Sequence, residues 1–155
     1  MSRGVLQAND ICKTYHLGGR ELRVLRGVNL DLRQGEFVAL QGASGSGKST
    51  LLQLLGGLDQ PTSGTVLFMG EPLRLQTAQQ AAIFRGQNVG FVFQAYHLLP
   101  DLDALENVML PAQVRRTAAL VSRNRGMDLL ASVGLKDRMD HRPSELSGGE
   151  QQSVA

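Results

Sequence analysis

The amino-acid sequence predicts an α/β fold in which a β-rich N-terminal part leads into a core built around a glycine-rich loop, followed by a helical subdomain. Up to residue 40, alternating apolar residues are interrupted by glycine-containing turns. Between residues 37 and 57, a short apolar run, a glycine-rich segment and a leucine-rich segment follow one another directly. Beyond Pro100 the apolar residues recur at helical spacing, and the 155 residues amount to the length of one domain.

The first strands are expected to be joined by tight turns at Gly18-Gly19 and at Gln34-Gly35, because glycine is favoured where the chain reverses. The last of these strands, residues 37–40, is a continuous apolar run, which is typical of a strand buried on both faces. A short helix in "LLQLLGG" is expected to end at Gly56-Gly57. This part of the chain therefore predicts strand, glycine loop and helix in succession.

The middle of the chain continues the α/β pattern. "TVLFMG" predicts a strand, "TAQQAAIFRGQ" a helix with Thr77 as its N-cap, and "NVGFVFQ" a short strand ending at Gln94. Asp103 and Glu106 have the spacing of a capping box before the helical segment "ALENVMLPAQV", and "RGMDLLASVGL" predicts a further helix.

The composition restricts the classes of function. A formal net charge of +2 with a pI near 9.0 is too small a basic excess to indicate a nucleic-acid partner. The one cysteine, Cys12, excludes an internal disulfide, and we expect it to be a small buried apolar residue. No apolar run reaches 18 residues, and the N-terminal segment lacks the apolar stretch of a signal peptide. We therefore expect neither a membrane span nor a secretory signal.

The segment "GASGSGKS" fits the phosphate-loop pattern G-x-x-x-x-G-K-[ST] and lies between an apolar run and a helical segment. Gly42, Gly45 and Gly47 allow the backbone to curl so that several N–H groups and the positive end of the next helix face one point. Lys48 supplies a positive charge for the β and γ phosphates, and Ser49 a hydroxyl for Mg²⁺. The alternative, a glycine-rich turn with a lysine by chance, leaves the flanking elements unexplained. The loop therefore predicts a nucleoside triphosphate site.

Two adjacent glycines, Gly148 and Gly149, stand at a helix entrance in "SELSGGEQQ". Ser147 and Glu150 have the spacing of a capping box, which is the simpler explanation of this segment. Each glycine in a helix costs about 0.8 to 1 kcal/mol relative to alanine, so a segment that needs only a cap would not contain two. We therefore expect a group to approach this backbone closely, as an anion does at bare N–H groups.

In this order and at these separations, "GASGSGKST", "FVFQ" and "LSGGEQQ" resemble the motifs of the nucleotide-binding subunit of ABC transporters, over residues Val5 to Ala155. The segments "LLGGLDQPTSG", "HLLPDLDALENV" and "HRPSELSGGE" are similar to the branch that contains the lipoprotein-releasing ATP-binding subunit and its macrolide-exporter and cell-division relatives, and lipoprotein release is the best match. The resemblance implies a P-loop NTPase fold of ABC type, with a parallel core sheet and a helical subdomain, incomplete at its C-terminus.

The resemblance also implies an organisation and a set of partners. Residues 1–94 would form the β-rich part and the P-loop core, 95–146 the helical subdomain and 147–155 the start of the signature helix, in one partial domain. Such a subunit uses ATP and Mg²⁺, pairs with a second nucleotide-binding subunit and attaches to transmembrane permease subunits, with no nucleic-acid partner. We therefore expect ATP-driven lipoprotein release or related export, at the cytoplasmic face of the inner (plasma) membrane and peripheral through partners.

Individual roles follow from the resemblance. Tyr15 falls where the family has an aromatic residue that stacks on adenine, although it is also a plausible strand tyrosine within a sheet. Gln94 matches the glutamine that contacts Mg²⁺ and the attacking water. Ser147, Gly148 and Gly149 match the signature, which binds the γ-phosphate of ATP held by the other subunit. The complete set expected to contact ATP is Tyr15, Gly42, Ser44, Gly45, Ser46, Gly47, Lys48, Ser49, Thr50, Ser147, Gly148, Gly149 and Glu150, with Ser49 and Gln94 at Mg²⁺.

In the family, the signature helix continues with an arginine and leads to an apolar strand ending in aspartate and a general-base glutamate, with a histidine further on. The 155 residues do not include these groups; Ser153 stands where the pattern has arginine, whereas Val154 and Ala155 match it. We therefore expect negligible hydrolysis by this chain alone. The alternative is a non-catalytic nucleotide-binding remnant or a regulatory partner of an intact ATPase subunit; a small P-loop kinase would not need the signature.

The remaining candidates are a basic cluster and two histidines. The cluster is typical of a solvated helical face, with a membrane-proximal or partner-facing role as the alternative. It comprises Arg115, Arg116, Arg123 and Arg125. His97 and His141 lack the spacing of metal ligands, and His97 is either part of a partner-contacting loop or a surface residue.

Overall fold

The computed structural model describes residues 4–155, which divide between Val89 and Gly90 into two units. The first contains a sheet and two α-helices, and the second contains three α-helices and two short 3-10 helices. None of these helices combines the length and the apolar character that a membrane crossing requires.

The first unit is built on four strands. They are β1 (Gly4–Leu17), β2 (Arg20–Arg33), β3 (Ser63–Phe68) and β4 (Glu71–Pro72). All are paired antiparallel, in the order β2-β1-β3-β4. Strands β1 and β2 form a long hairpin around Gly18 and Gly19, whose φ angles of 55° and 82° lie in the left-handed region that favours glycine. The predicted β-rich start and its first turn are therefore confirmed.

Helix α1 (Lys48–Leu55) packs against this sheet. Its buried side consists of Leu51, Leu54 and Leu55. Their three- and four-residue spacing places them on one side of a helix, where they share an apolar cluster with Ile11 of β1 and Leu25 of β2. The helix ends as predicted, where the N–H of Gly56 donates to the carbonyl oxygen of Leu52 at 2.9 Å.

Helix α2 (Ala78–Asn88) begins at the predicted N-cap. Thr77 Oγ1 accepts the N–H of Gln80 at 3.1 Å, and Gln80 Oε1 accepts the N–H of Thr77 at 3.2 Å, which completes a capping box. Phe84 is the buried residue of this helix, and its ring meets that of Phe68 edge-on at 5.2 Å. The helix is therefore tied to β3 by one aromatic pair.

The second unit is a helical assembly. Its elements are α3 (Ala104–Val114), α4 (Ala119–Ser132), 3-10 helices at Lys136–Arg138 and Pro143–Glu145, and α5 (Gly148–Val154). Asp103 and Glu106 form the predicted capping box, with hydrogen bonds of 2.7 and 3.0 Å. Helices α3 and α4 pack closely at Gly126, where an added Cβ would lie only 2.8 Å from Leu105 Cδ1. The core of the unit comprises Ala104, Leu105, Leu130, Leu135, Leu146 and Val154.

Two strand predictions are wrong. Residues 37–40 and 88–94 form no strand: Asn88 ends α2, and residues 89–94 have neither helix nor strand. Phe37 and Val92 are 93% and 86% exposed. A strand is stable only beside a hydrogen-bonded neighbour, and no segment of residues 4–155 pairs with either run. The α/β class stands, but the parallel core sheet is not present among the described residues, whose ladders are all antiparallel.

Candidate functional site

The glycine-rich segment forms a loop that leads directly into α1. Gly47, the last residue before the helix, has a φ angle of 90°, and an added Cβ would lie 2.8 Å from Leu25 Cδ2 and 3.1 Å from Val24. Among the amino acids only glycine combines this backbone angle with so close an approach to β2. Gly47 therefore lies too close to β2 for a side chain at this position.

The N-terminus of α1 presents backbone N–H groups that no side chain caps. Gly47 is the N-cap residue, and the first turn contains no acidic residue. The N–H of Leu51 donates to the carbonyl oxygen of Gly47 at 2.9 Å. The N–H groups of Lys48, Ser49 and Thr50 precede this bond in the helix, and together with the helix dipole they favour an anion.

The side chain of Lys48 folds back over the loop. Its Nζ donates to the carbonyl oxygens of Gly42 and Ala43, both at 2.8 Å, and to Ser46 Oγ at 3.4 Å. These acceptors are neutral, so they leave the positive charge of the ammonium uncompensated. A phosphate oxygen is a stronger acceptor than a carbonyl, and it would draw Nζ toward a bound anion.

These residues fit the triphosphate and Mg²⁺ that the pattern predicts. Uncapped helix N–H groups and one ammonium supply the donors that phosphate requires, and the donor set contains no carboxylate that would repel it. Ser49 is exposed in the first turn of α1, where its hydroxyl is accessible to a cation, and Ser44, Gly45 and Ser46 are exposed in the loop. The individual contacts of these residues and of Thr50 with ATP stay predictions.

Tyr15, the predicted adenine contact, lies on β1 opposite Leu22 of β2. Its hydroxyl donates to Asp59 Oδ2 at 2.9 Å, and Lys13 Nζ lies 4.9 Å from the centre of its ring. These contacts give Tyr15 a structural role in the sheet, which is the alternative that the sequence left open. Stacking on adenine stays a prediction.

An ion pair that the sequence does not indicate joins Lys13 and Asp59. Lys13 Nζ lies 2.7 Å from Asp59 Oδ1 and also donates to the carbonyl oxygen of Gln60 at 2.7 Å. Burial raises the pKa of Asp59, but hydrogen bonds from Lys13, the Gln60 N–H and Tyr15, together with the charge of Lys13, outweigh burial and place this pKa below its ordinary value of 3.8. Because 46 residues separate the partners, no local spacing indicates this pair.

Gln94 lies in the second unit, at an exposed position in a segment without helix or strand. Around it, the rings of Phe91 and Phe93 stack at 5.3 Å, and Phe93 meets His97 edge-on at 5.0 Å. His97 is exposed and has a φ angle of 51°. The contact of Gln94 with Mg²⁺ and water stays a prediction, as does a partner-contacting role for His97.

The signature segment begins α5 with the predicted capping box. Ser147 Oγ accepts the N–H of Glu150 at 3.3 Å, and Glu150 Oε2 accepts the N–H of Ser147 at 2.7 Å. A Cβ added at Gly149 would meet nothing within 4 Å, and one at Gly148 would meet only the Tyr96 hydroxyl, at 3.4 Å. Packing within the described chain therefore does not explain why both positions are glycine, and the binding of a phosphate there stays a prediction.

Glu150 has a second partner that the sequence did not indicate. Arg138 Nε lies 3.4 Å from Glu150 Oε1. The backbone N–H and then the hydroxyl of Ser147, aided by the charge of Arg138, hold the pKa of Glu150 below its usual range despite the opposing effect of burial. Gln151 Nε2 donates to the carbonyl oxygens of Pro143 and Leu146 at 2.8 and 3.0 Å. The start of α5 is thus held by side-chain contacts with the two preceding 3-10 segments.

Cys12 and His141, two further candidates, make ordinary polar contacts. Cys12 is half-buried rather than buried as predicted, and its Sγ accepts the N–H of Gly27 at 3.2 Å where the pairing of β1 is irregular. His141 Nδ1 lies 3.1 Å from Asp140 Oδ1, and its Nε2 lies 3.2 Å from Arg138 Nη1. Within residues 4–155, no three histidine, cysteine, aspartate or glutamate side chains come together as a metal-binding group.

Comparison with known sequences gives a family and two relatives. Residues 25–155 match the profile of the family described as "ABC transporter". The macrolide export ATP-binding/permease protein MacB of Brucella melitensis biotype 1 and that of Brucella abortus (strain 2308) are each 50% identical to this chain over 151 residues. The match covers 97% of this chain and 23% of each relative, so the chain spans less than a quarter of their length.

Comparison with solved structures gives the same family. A dimeric, post-hydrolysis state of the ATP-binding cassette MJ0796 bound to ADP and Pi superposes with a TM-score of 0.87 at 38% identity. A second dimeric structure of MJ0796, described as a bacterial ABC transporter cassette, gives a TM-score of 0.87 at 37% identity. Both matches cover 96% of this chain and 66% of the solved chain.

Proposed function

Because the chain belongs to the ABC transporter family, we propose that it is an ATP-binding cassette that holds the triphosphate of ATP in the loop of residues 42–49. Its α/β fold is that of the ABC cassettes, and the resemblance to this family drawn from the three sequence motifs is confirmed. The ATPase domain of the family uses ATP with Mg²⁺. We propose the residues by which this chain contacts ATP and Mg²⁺.

The position of Lys48 carries the proposal. Its ammonium is held by the carbonyl oxygens of Gly42 and Ala43, beside the uncapped N–H groups of α1. When ATP binds, these N–H groups donate to phosphate oxygens, and Lys48 exchanges weak carbonyl acceptors for charged ones. Bound Mg²⁺ would neutralise part of the phosphate charge, with the hydroxyl of Ser49 as its ligand from this loop.

A second copy of the cassette completes the site in this proposal. Gly148 and Gly149 leave the start of α5 open, and the solved cassettes with the same fold are dimers. The signature of one copy would then approach the phosphates held by the loop of its partner, and Gln94 would position water and Mg²⁺. This approach of the two copies would be transmitted to transmembrane permease subunits. The cassette would be held by them peripherally at the cytoplasmic face of the membrane.

The cargo of the transporter is the second point that we propose. The two Brucella relatives are named for macrolide export, which supports an exporter. Within that group we propose lipoprotein release, on the strength of the segments "LLGGLDQPTSG" and "HRPSELSGGE". Co-purification with lipoprotein-releasing permease subunits, in preference to the membrane part of a macrolide exporter, is the expected result; the opposite preference would reject this cargo.

Binding of a fluorescent ATP analogue to the Lys48→Ala variant tests the phosphate site. We expect the affinity to fall by roughly 100-fold, because a charged donor to phosphate is lost. Lys136→Ala is the matched control, since Lys136 is exposed in a 3-10 helix of the second unit, and its affinity should equal that of the wild type. An unchanged affinity of Lys48→Ala for the analogue would show that the loop does not bind the phosphates.

A further inference from the structure

The connection between α3 and α4 brings arginines and exposed apolar side chains together. Residues 114–125, here named the hairpin tip, comprise the end of α3, a short turn and the start of α4. The turn is ordered by its backbone: the N–H of Arg116 donates to the carbonyl oxygen of Gln113 at 2.8 Å, and that of Thr117 to Ala112 at 3.0 Å. The hairpin tip is therefore a defined structural feature.

Three large apolar side chains of the hairpin tip face solvent. Val114 is 77%, Leu120 71% and Val121 59% exposed. The face of α4 that packs within the unit is formed instead by its buried residues Ser122 and Gly126 and, further on, Leu130. These three side chains do not belong to the apolar core of the second unit, and we name them, by their exposure and their shared place in the hairpin tip, the apolar patch.

The charged residues within the hairpin tip are all of one sign. Arg116, Arg123 and Arg125 are exposed, and with Arg115 they bring four of the sixteen basic residues of the chain into the hairpin tip. None of the fourteen acidic residues lies between Glu106 and Asp128. A soluble helical face normally mixes both signs of charge, so an all-positive segment with exposed valine and leucine differs from a merely solvated surface.

We propose that the hairpin tip binds the surface of a membrane that contains anionic lipids. Guanidinium groups donate to lipid phosphates, and Leu120 and Val121 enter the boundary between headgroups and acyl chains. A nucleic acid would match the arginines but not the apolar patch, whereas a lipid surface matches both. This inference goes beyond the proposed function, where contact with the membrane runs through permease subunits, and it does not depend on ATP.

The expected binding is weak and reversible. An arginine close to an anionic membrane strengthens binding by roughly fivefold, so the loss of two should weaken it by roughly 25-fold. The electrostatic part is screened by salt, and the apolar part is not. The two contributions can therefore be separated by substitution and by ionic strength.

Cosedimentation of the full 155-residue chain with lipid vesicles tests this proposal. One vesicle preparation contains phosphatidylcholine alone, and the other contains in addition about one-third phosphatidylglycerol, whose negative charge attracts basic segments. The wild type should bind the second preparation much more tightly than the first, and added salt should weaken that binding toward the level seen with phosphatidylcholine alone. Arg116→Gln/Arg123→Gln should bind roughly 25-fold less tightly at low salt, and Leu120→Ser/Val121→Ser should lose the binding that persists at high salt.

Arg20→Gln/Arg74→Gln is the control, because both arginines are exposed in the first unit, and it should bind as the wild type does. Circular dichroism and binding of the fluorescent ATP analogue verify that each variant is folded. Equal binding to both vesicle types, absence of binding by the wild type, or equal losses in the control and hairpin-tip variants would overturn the proposal. Retention by an acidic soluble protein without binding to vesicles would overturn it as well.

Discussion

Lys13 Nζ lies 2.7 Å from Asp59 Oδ1 and thereby joins β1 to the segment that follows α1. The same carboxylate accepts the hydroxyl of Tyr15 through Oδ2 at 2.9 Å and the N–H of Gln60 through Oδ1 at 2.7 Å. Lys13 has 12% of its side chain exposed, so the pair is partly shielded from water. Asp59 therefore fixes the segment beyond α1 to the sheet, whereas the N-terminus of the same helix carries the phosphate loop.

Replacement of Asp59 by asparagine should destabilise the first unit. The substitution keeps the size of the side chain but removes the charge that compensates Lys13. We expect the free energy of unfolding in urea to fall by about 1.5 kcal/mol, the low end of the range for hydrogen bonds to charged groups, because Asp59 is partly exposed. Asp101→Asn, at an exposed position in the second unit, is the control and should change stability little.

The pH dependence of stability should identify the same carboxylate. The pKa of Asp59 is lower in the folded chain than its ordinary value of 3.8, so its contribution is present above that value and is lost as the pH falls through the folded pKa. The stability difference between wild type and Asp59→Asn should hold from neutral pH to about 4 and shrink below it. A difference that stays constant or grows in acid would contradict this assignment.

Asn107 should be a stability determinant of the second unit. It is 7% exposed, its Oδ1 accepts the N–H of Leu99 at 2.8 Å, and its Nδ2 donates to the carbonyl oxygens of Leu99, Leu102 and Asp103. Asn107→Ala removes the acceptor of the Leu99 N–H and the side-chain donor to these carbonyl oxygens, which costs about 1 to 3 kcal/mol. Urea unfolding measures the loss; exposed Asn124→Ala is the control, and equal effects of the two would refute the prediction.

The stability of the start of α5 should depend on the hydrogen-bond acceptor at position 150 rather than on the negative charge of that side chain. Glu150 accepts the N–H of Ser147, and glutamine can do the same in a capping box. Hydrogen exchange at the amides of α5 should therefore accelerate in Glu150→Ala and stay close to wild type in Glu150→Gln. Equal acceleration in both variants would instead assign the stabilisation to the ion pair with Arg138.

Local features of the structure could be predicted from the sequence. The caps at Thr77, Asp103 and Ser147 depend on residues three positions apart, and all three form as expected. The same holds for the turn at Gly18-Gly19 and for the end of α1 at Gly56, where a glycine marks the chain reversal or helix end.

Features that depend on distant partners could not be predicted. Phe37 and Val92 lie in apolar runs that match a buried strand, yet both are exposed because a strand also needs a neighbour to pair with. The contact of Lys13 with Asp59 spans 46 residues and has no sequence signature. At the phosphate loop, the pattern predicted the residue types, but the approach of Gly47 to Leu25 follows only from the packing of α1 on β2.

Hydrogen–deuterium exchange with and without Mg·ATP is the most direct test that the loop of residues 42–49 holds the phosphates. We expect slower exchange at the amides of residues 44–50, where the loop and the first turn of α1 would donate to ATP. AMP, which lacks the β and γ phosphates, should protect these amides much less. Unchanged exchange in this segment when ATP is bound would show that the loop does not hold the phosphates, whatever protection occurs elsewhere in the chain.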